Sequence, residues 1–491
     1  MAAVTIAALS GDNGILRNAA KAKVETAEAE QEEQTKLGEM EDTINEYVTG
    51  ITVEQVTDEN PGALEGTGTD ADPYIINSIE DLVVFSYNVR EGNTYEGQTV
   101  KLGTSLDFNS NKSYIEPFRT DYGEYGYNGE LKTLLTTGEG FKPIGTIYDA
   151  NISTNYFCGT FDGNYNVIYN LYQIYEDPDN TLILGLFGTN AGSIKNLIIE
   201  NSNINGSTNN MNLLVGVVCG RNRGNITNCG SSGIVKVMHN GEKSVYVAGI
   251  TGQAMGTIER CFSKTNIETS LNKTSTSTTS VGGIAGALTE SYIKSCYNMA
   301  TITINLNADL EISIGGISGS NSKNKKIENC YNAGNINLKA TSQTTKKIQV
   351  GSIVGTTSDA EMNYCFNIGQ INIDLLNDND TTYIGNITGD SWRGIIGNCY
   401  NIGNINVENI EIQKIGQIAG RLATSNLSNC SGIIEENINL IGYEYGSTKD
   451  KVTLIEKNEI PNILQVIGQE FENDSNNINQ GNPILNWELN G

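Results

Sequence analysis

Seven cysteines fall in near-regular steps along this chain. Cys229, Cys261, Cys296, Cys330, Cys365, Cys399 and Cys430 are separated by 32, 35, 34, 35, 34 and 31 residues. A period of this length constrains the fold more than any other feature. Each period must be one small unit that buries its apolar face only by stacking on its neighbours. Other positions keep the same beat. An aromatic follows the cysteine at Phe262, Tyr297, Tyr331, Phe366 and Tyr400, and an asparagine comes next at Asn298, Asn332, Asn367 and Asn401. A glycine-flanked apolar segment precedes the unit at residues 281–286, 314–319, 350–355, 384–389 and 415–420. Looser copies lie at 215–220 and 247–252, and the earliest at 184–188.

Short runs within each unit, such as Gly334-Asn-Ile-Asn-Leu338 and Gly403-Asn-Ile-Asn-Val407, alternate apolar and polar residues and are rich in β-branched side chains. Period two means strands. No unit holds a convincing helix of about ten residues, which sets aside helical repeats of similar length. Three short strands and their turns fill about 33 residues, so the spacing predicts a parallel β-solenoid with one unit per coil. Equivalent residues then stack about 4.8 Å apart. The cysteines are expected inside as small hydrophobes. They are expected to stay free thiols, because in-register side chains point the same way and seven cannot all pair. Cys158 and Cys219 fall off this column and their state is left open. The asparagines are expected at corners, each amide bonded to the next coil, and the glycines at tight corners with positive φ.

Composition narrows the function classes. The chain has 491 residues with 54 glycines, 63 asparagines and only 7 prolines, which suits many turns better than a linker. Lys plus Arg is 31 against 57 Asp plus Glu, a net charge of −26. Such a chain repels phosphate backbones and anionic membrane surfaces, so no nucleic-acid partner is expected. Its one histidine, His239, cannot make an H-E-x-x-H zinc site and is read as an exposed residue in a polar turn. The nine cysteines form no C-x-x-C cluster. No catalytic residue, metal or cofactor is predicted, and the chain is not expected to be an enzyme.

The units resemble the GLUG motif of bacterial surface proteins, through the Gly-x-Ile-x-Gly run, the Asn-Cys-Tyr-Asn core and the following Gly-Asn-Ile. Upstream, Phe141-Lys-Pro-Ile-Gly145, Phe157-Cys-Gly-Thr-Phe-Asp-Gly163 and Ile168-Tyr-Asn-Leu171 look like the lead-in to such repeats. Residues 66–76 resemble their opening strand, Glu80-Asp-Leu82 a short capping helix, and residues 477–487 their common ending. The resemblance spans about residues 66–491. It implies an all-β fold, a right-handed parallel β-helix on an extracellular bacterial protein, and no particular activity. Some GLUG-bearing proteins are IgA-specific zinc metallopeptidases, but their separate catalytic domain needs H-E-x-x-H, so that activity is not carried over.

Residues 1–50 differ in kind, with dense alanine, Glu and Lys from Ala19 to Ala29, and are read as one long N-terminal α-helix. The stretch from Ala7 to Leu16 followed by Ala19-Ala-Lys-Ala-Lys23 resembles the second half of the N-terminal segment of Gram-positive type IV pilin-like proteins. That resemblance implies partners: other pilin-like subunits, assembled through a helix face carrying Ile6, Leu9, Ile15 and Leu16. The family's basic leader, its cleavage site and most of its apolar run are absent here. Membrane attachment would need an apolar segment upstream of Met1. The expected divisions are 1–50 helix, 51–65 linker, 66–160 N-terminal cap and first coils, 161–445 repeats and 446–491 C-terminal cap. Roughly ten coils are expected.

Parallel β-helices also host polysaccharide lyases and glycosidases, so carbohydrate chemistry is the rival class. The acidic candidates are Asp177, Asp179, Asp374, Asp378, Asp380 and Asp390. Residues 177–180 and 377–380 lack the glycine and distal glutamate of a calcium loop and are read as solvated turns, and Asp162 as a turn-former. Trp392-Arg393 interrupts the repeat beside Asp390. These three are the candidate carbohydrate contact, and packing of the tryptophan over its coil is the simpler reading. Lys323, Lys325, Lys326, Lys346 and Lys347 are read as basic loops that aid solubility. The expected function is that of an extracellular cell-surface structural and adhesive protein, with a host or environmental glycan or protein as ligand.

Overall fold

The computed structural model describes residues 64–108, 140–145, 155–177, 180–209, 211–272, 277–323, 325–341, 347–376, 381–408, 414–477 and 479–490, with the backbone of a hairpin at Pro117–Arg119 and Tyr125–Tyr127. The chain divides into a unit Met1–Pro61 and a unit Gly62–Gly491. The expected N-terminal helix, with Ile6, Leu9, Ile15 and Leu16, lies outside the described residues.

The second unit is a parallel β-solenoid. A representative coil runs through Thr382–Gly385, Thr388–Trp392, Ile395–Gly397, Tyr400–Asn401 and Ile405–Glu408. Each strand pairs in parallel with its equivalent one coil before, for example Ile371↔Ile405 and Ile373↔Val407. Alternation decides which side chains enter the core. In Ile302–Leu306 the residues Ile302, Ile304 and Leu306 are buried while Asn305 is exposed. Ile336 and Leu338, then Ile371 and Ile373, stack on them in register. Burying each such side chain is worth about 1.5–3 kcal/mol, so a coil contributes only in proportion to the neighbours covering it. Eight rungs, from Phe187–Asn190 to Ile415–Ala423, form one column of a 16-stranded sheet. Among the described residues this regular column is therefore shorter than the ten coils expected.

The ladders are where the period places them. All nine cysteines are free; the seven periodic ones and Cys219 are buried, and Cys158 is half-buried. Cys330 pairs in register with Cys365, and the column ends with Val452 beneath Cys430. Burial pushes the Cys219 thiol up to about 12 and the Cys229 and Cys399 thiols well above their usual value. Asn298, Asn332, Asn367 and Asn401 are linked amide to amide at 2.9, 3.1 and 2.8 Å.

The corners differ from expectation. The residue before each ladder cysteine sits in the left-handed region, at φ 52, 50, 50, 53, 52, 51 and 53° for Asn228, Arg260, Ser295, Asn329, Tyr364, Asn398 and Asn429. Asparagine fills four of these seven, as the residue that visits this region at least cost after glycine. The repeat glycines have another task. A Cβ on Gly282 would lie 2.0 Å from the Ala285 carbonyl oxygen, and one on Gly286 2.5 Å from that of Gly252. Neither has positive φ. They are glycine because adjacent backbones approach too closely for any side chain.

At the N-terminal end, helix α1 (Ile79–Arg90) begins with a capping box between Ser78 and Asp81 and buries Leu82, Phe85 and Val89. Phe85 packs edge-on against Tyr95 and Phe157, at centroid distances of 5.0 and 5.5 Å. Near the C-terminal end, Asn439–Tyr445 and Thr448–Ile455 form the last rungs. The chain then doubles back along the side of the solenoid. Helix α2 (Ile463–Ile467), the hairpin Phe471–Glu472/Ile484–Leu485 and Trp487 cover the outward aromatic column of Phe262, Tyr297, Tyr331 and Phe366.

Candidate functional site

On the outer face of the 16-stranded sheet, two side-chain columns run side by side through the last coils. One reads Thr356, Asp390, Arg421, Tyr443, and the other Ser358, Trp392, Ala423, Tyr445. The tryptophan thus keeps the register of the repeat rather than interrupting it. The expected contact residues are brought close together but to different ends. Asp390 is only 1% exposed. Arg421 donates to it from Nε at 2.6 Å and Nη2 at 2.8 Å, Gln349 from Nε2 at 3.0 Å, and Lys347 Nζ lies 2.5 Å away. Four donors satisfy this carboxylate, so it is a structural anchor that fixes the Arg421 guanidinium, which also lies over the Tyr383 ring at 4.9 Å.

Trp392 is 44% exposed. The Arg393 guanidinium stacks on its ring at 3.9 Å and reaches back to Asp359 on the preceding coil at 2.6 Å. The indole is therefore held in one orientation by a cation–π contact that is itself tethered. Tyr443 and Tyr445 are 52% and 67% exposed. Sequence reasoning missed Arg421, Ala423, Tyr443 and Tyr445. Aligning the repeat at residues 390, 421 and 443 would have exposed them, but the last step is only 22 residues and carries neither cysteine nor the glycine run.

The other candidates are structural. His239 is buried at the end of the strand Asn225–His239, with Nε2 3.1 Å from the Met211 carbonyl oxygen, so the exposed-turn reading is corrected. Its neighbours Asn240 and Gly241 made a strand end look like a loop. Asp162 accepts from the Asn164 backbone at 2.9 Å and from Asn196 at 3.0 Å, as a turn-former does. Asp177 accepts from the Asn180 backbone at 3.0 Å. Asp374 pairs with Lys339 across the sheet surface at 3.7 Å. Lys326 and Lys347 are not loop residues held for solubility alone, because they pair with Glu328 and Asp390. Asp179, Asp378, Asp380 and Lys346 lie outside the described residues. Among the described residues no group of three or more His, Cys, Asp or Glu could hold a metal, and no helix is long and apolar enough to cross a membrane.

No protein-family model matches the chain. A stretch of 174 residues, 35% of the chain, is 30% identical to Halomucin of Haloquadratum walsbyi (strain DSM 16790 / HBSQ001), and spans 2% of that protein's length. Among solved structures, a protein from Bacteroides ovatus provisionally described as an immunoglobulin A1 protease is similar over 86% of this chain and 94% of its own, at 18% identity and a TM-score of 0.41.

Proposed function

We propose that this chain is the displayed part of an extracellular cell-surface protein, a structural and adhesive solenoid rather than an enzyme. The observation that carries the reading is the stack itself. Each coil supports only its neighbours, so such a body can be lengthened without changing its fold and offers repeated outward columns for contact. The stretch shared with Halomucin supports it, as does the resemblance of the repeat to GLUG-bearing surface proteins. The net charge of −26 keeps such a body soluble and off anionic surfaces.

Within that reading, assembly with pilin-like subunits through Ile6, Leu9, Ile15 and Leu16 is the finer proposal, and it rests on the N-terminal sequence alone. Fractionation tests both levels. The native gene product is expected with the cell envelope or with sheared filaments, and recovery only as free cytosolic protein would overturn surface display. Removal of residues 1–50 should release the chain from the envelope. Unchanged association after that deletion would leave a surface protein and remove the pilin-like assembly. A second reading, binding of carbohydrate, is favoured by the exposed Trp392 and Tyr445 on one column.

A further inference from the structure

We propose that Trp392 and Tyr445 form a clamp for one neutral pyranose ring of a glycan, with Ala423 as the floor between them. The proposal names a ligand class for the adhesive reading above and rests on that reading for access to glycans.

The geometry follows from the register. Trp392 pairs with Ala423, and Ala423 with Tyr445, so the two aromatic side chains leave the same face of the sheet two rungs apart. Two rungs are about 9.6 Å. Two stacking distances of about 3.5–4 Å plus the thickness of one saturated ring fill such a gap. A bulky residue at 423 would close it, and this chain has a methyl there. Arg393 draws its guanidinium toward Asp359 on the preceding coil, so it covers Trp392 from that side and leaves the side toward Ala423 and Tyr445 for a ligand.

The chemistry selects a sugar. The C–H faces of a pyranose carry partial positive charge and lie well on the negative faces of aromatic rings. Its hydroxyls need fixed polar partners at the rim, and the neighbouring column supplies the Arg421 guanidinium, immobilised on Asp390, and the exposed Tyr443 hydroxyl. A proline-rich peptide would also offer a ring. However, such a segment docks along an extended aromatic-lined groove, and the register here gives one ring-sized gap between Trp392 and Tyr445, floored by Ala423. Acidic glycans are disfavoured by the charge of −26.

The chain has only two tryptophans, and Trp487 is buried, so Trp487→Phe leaves Trp392 as the sole indole, read by excitation at the red edge where the 23 tyrosines do not absorb. This full-length variant is titrated with cello-, xylo-, manno- and galacto-oligosaccharides, reading emission and acrylamide quenching. At least one class should shift the emission saturably and shield Trp392. Ala423→Leu, which keeps both rings and fills the floor, should weaken that binding about ten-fold or more, equivalent to about 1.4 kcal/mol. Tyr445→Ala in the parent chain, read by saturation-transfer NMR with the same sugar, should lose it as well. Silence of all four classes, undiminished binding by Ala423→Leu, or a response to a proline-rich peptide in place of sugars would each overturn the clamp. None of these outcomes bears on envelope fractionation, so failure of the clamp and failure of surface display are told apart.

Discussion

Asn332 donates to the Gly334 carbonyl at 2.8 Å and to Asn367 Oδ1 at 3.1 Å, while accepting from Asn298 at 2.9 Å. Its amide is fully buried, so truncation strands polar groups above and below it. Asn332→Ala is expected to cost about 1–3 kcal/mol, read as a lower thermal midpoint. On the surface, the exposed Asn406 donates the same kind of bond to Asn372 at 2.8 Å, and water replaces a lost partner there. Asn406→Ala should change stability by less than about 0.5 kcal/mol, and equal effects of the two substitutions would contradict this account. Gly286→Ala places its Cβ against the backbone of Gly252 and Val247, where no side chain can yield, and should be at least as damaging as Asn332→Ala. Residues that recur with the period, the cysteines and interior asparagines, were legible in the sequence because stacking makes identical residues neighbours. The left-handed corners were not, because Asn, Arg, Ser and Tyr all occupy them and only the backbone geometry is shared.

The doubling back of residues 456–490 is the element least legible in the sequence, and the reason is physical. Its partners lie far away along the chain: Trp487 Nε1 donates to the Arg260 carbonyl at 3.0 Å, and the Tyr297 hydroxyl to Glu488 at 2.9 Å. No local periodicity encodes such contacts. By contrast, α1 announces itself through Ser78 and Asp81, whose capping box is local. Glu488 makes this returning segment, the strap, responsive to pH. Burial raises its carboxyl above the ordinary 4.5, against smaller opposing effects from the Leu485 amide, the Tyr297 hydroxyl and Lys264; Asp474 adds to the rise. The folded strap therefore binds a proton more readily than the released one. Its docking is strongest below the ordinary value and weakens as pH rises from there through the raised value. The exchange protection of residues 463–488, taken relative to the intrinsic base-catalysed rate at each pH, should fall across that window, and Glu488→Gln should flatten that fall. A profile of opposite sign, or one unmoved by Glu488→Gln, would rule out this group as the cause.

At the scale of the whole solenoid, stability is a sum of coil-to-coil contacts, so opening should start where a coil lacks a neighbour. Among the described residues the two ends differ. α1 buries its apolar face against the first coils, whereas the last rungs leave Ile438, Leu440, Ile441 and Val452 only half-buried. The strap adds a coupling that nearest-neighbour stacking lacks, since it touches Phe262, Tyr297, Tyr331 and Phe366 on four successive coils. The thiol column records the consequence residue by residue, because a buried cysteine reacts with a soluble alkylating agent only when its coil opens. Without denaturant, only Cys158 is expected to label at an appreciable rate. In mild denaturant Cys430, next to the half-buried Val452, should label first. Cys399 should follow, and Cys296 and Cys330, on coils held by the strap, should come last. Deleting residues 456–491 should bring Cys296 and Cys330 forward while leaving Cys430 first. Simultaneous labelling of all seven would mean that the solenoid opens as a single cooperative unit, with the strap adding no separate coupling.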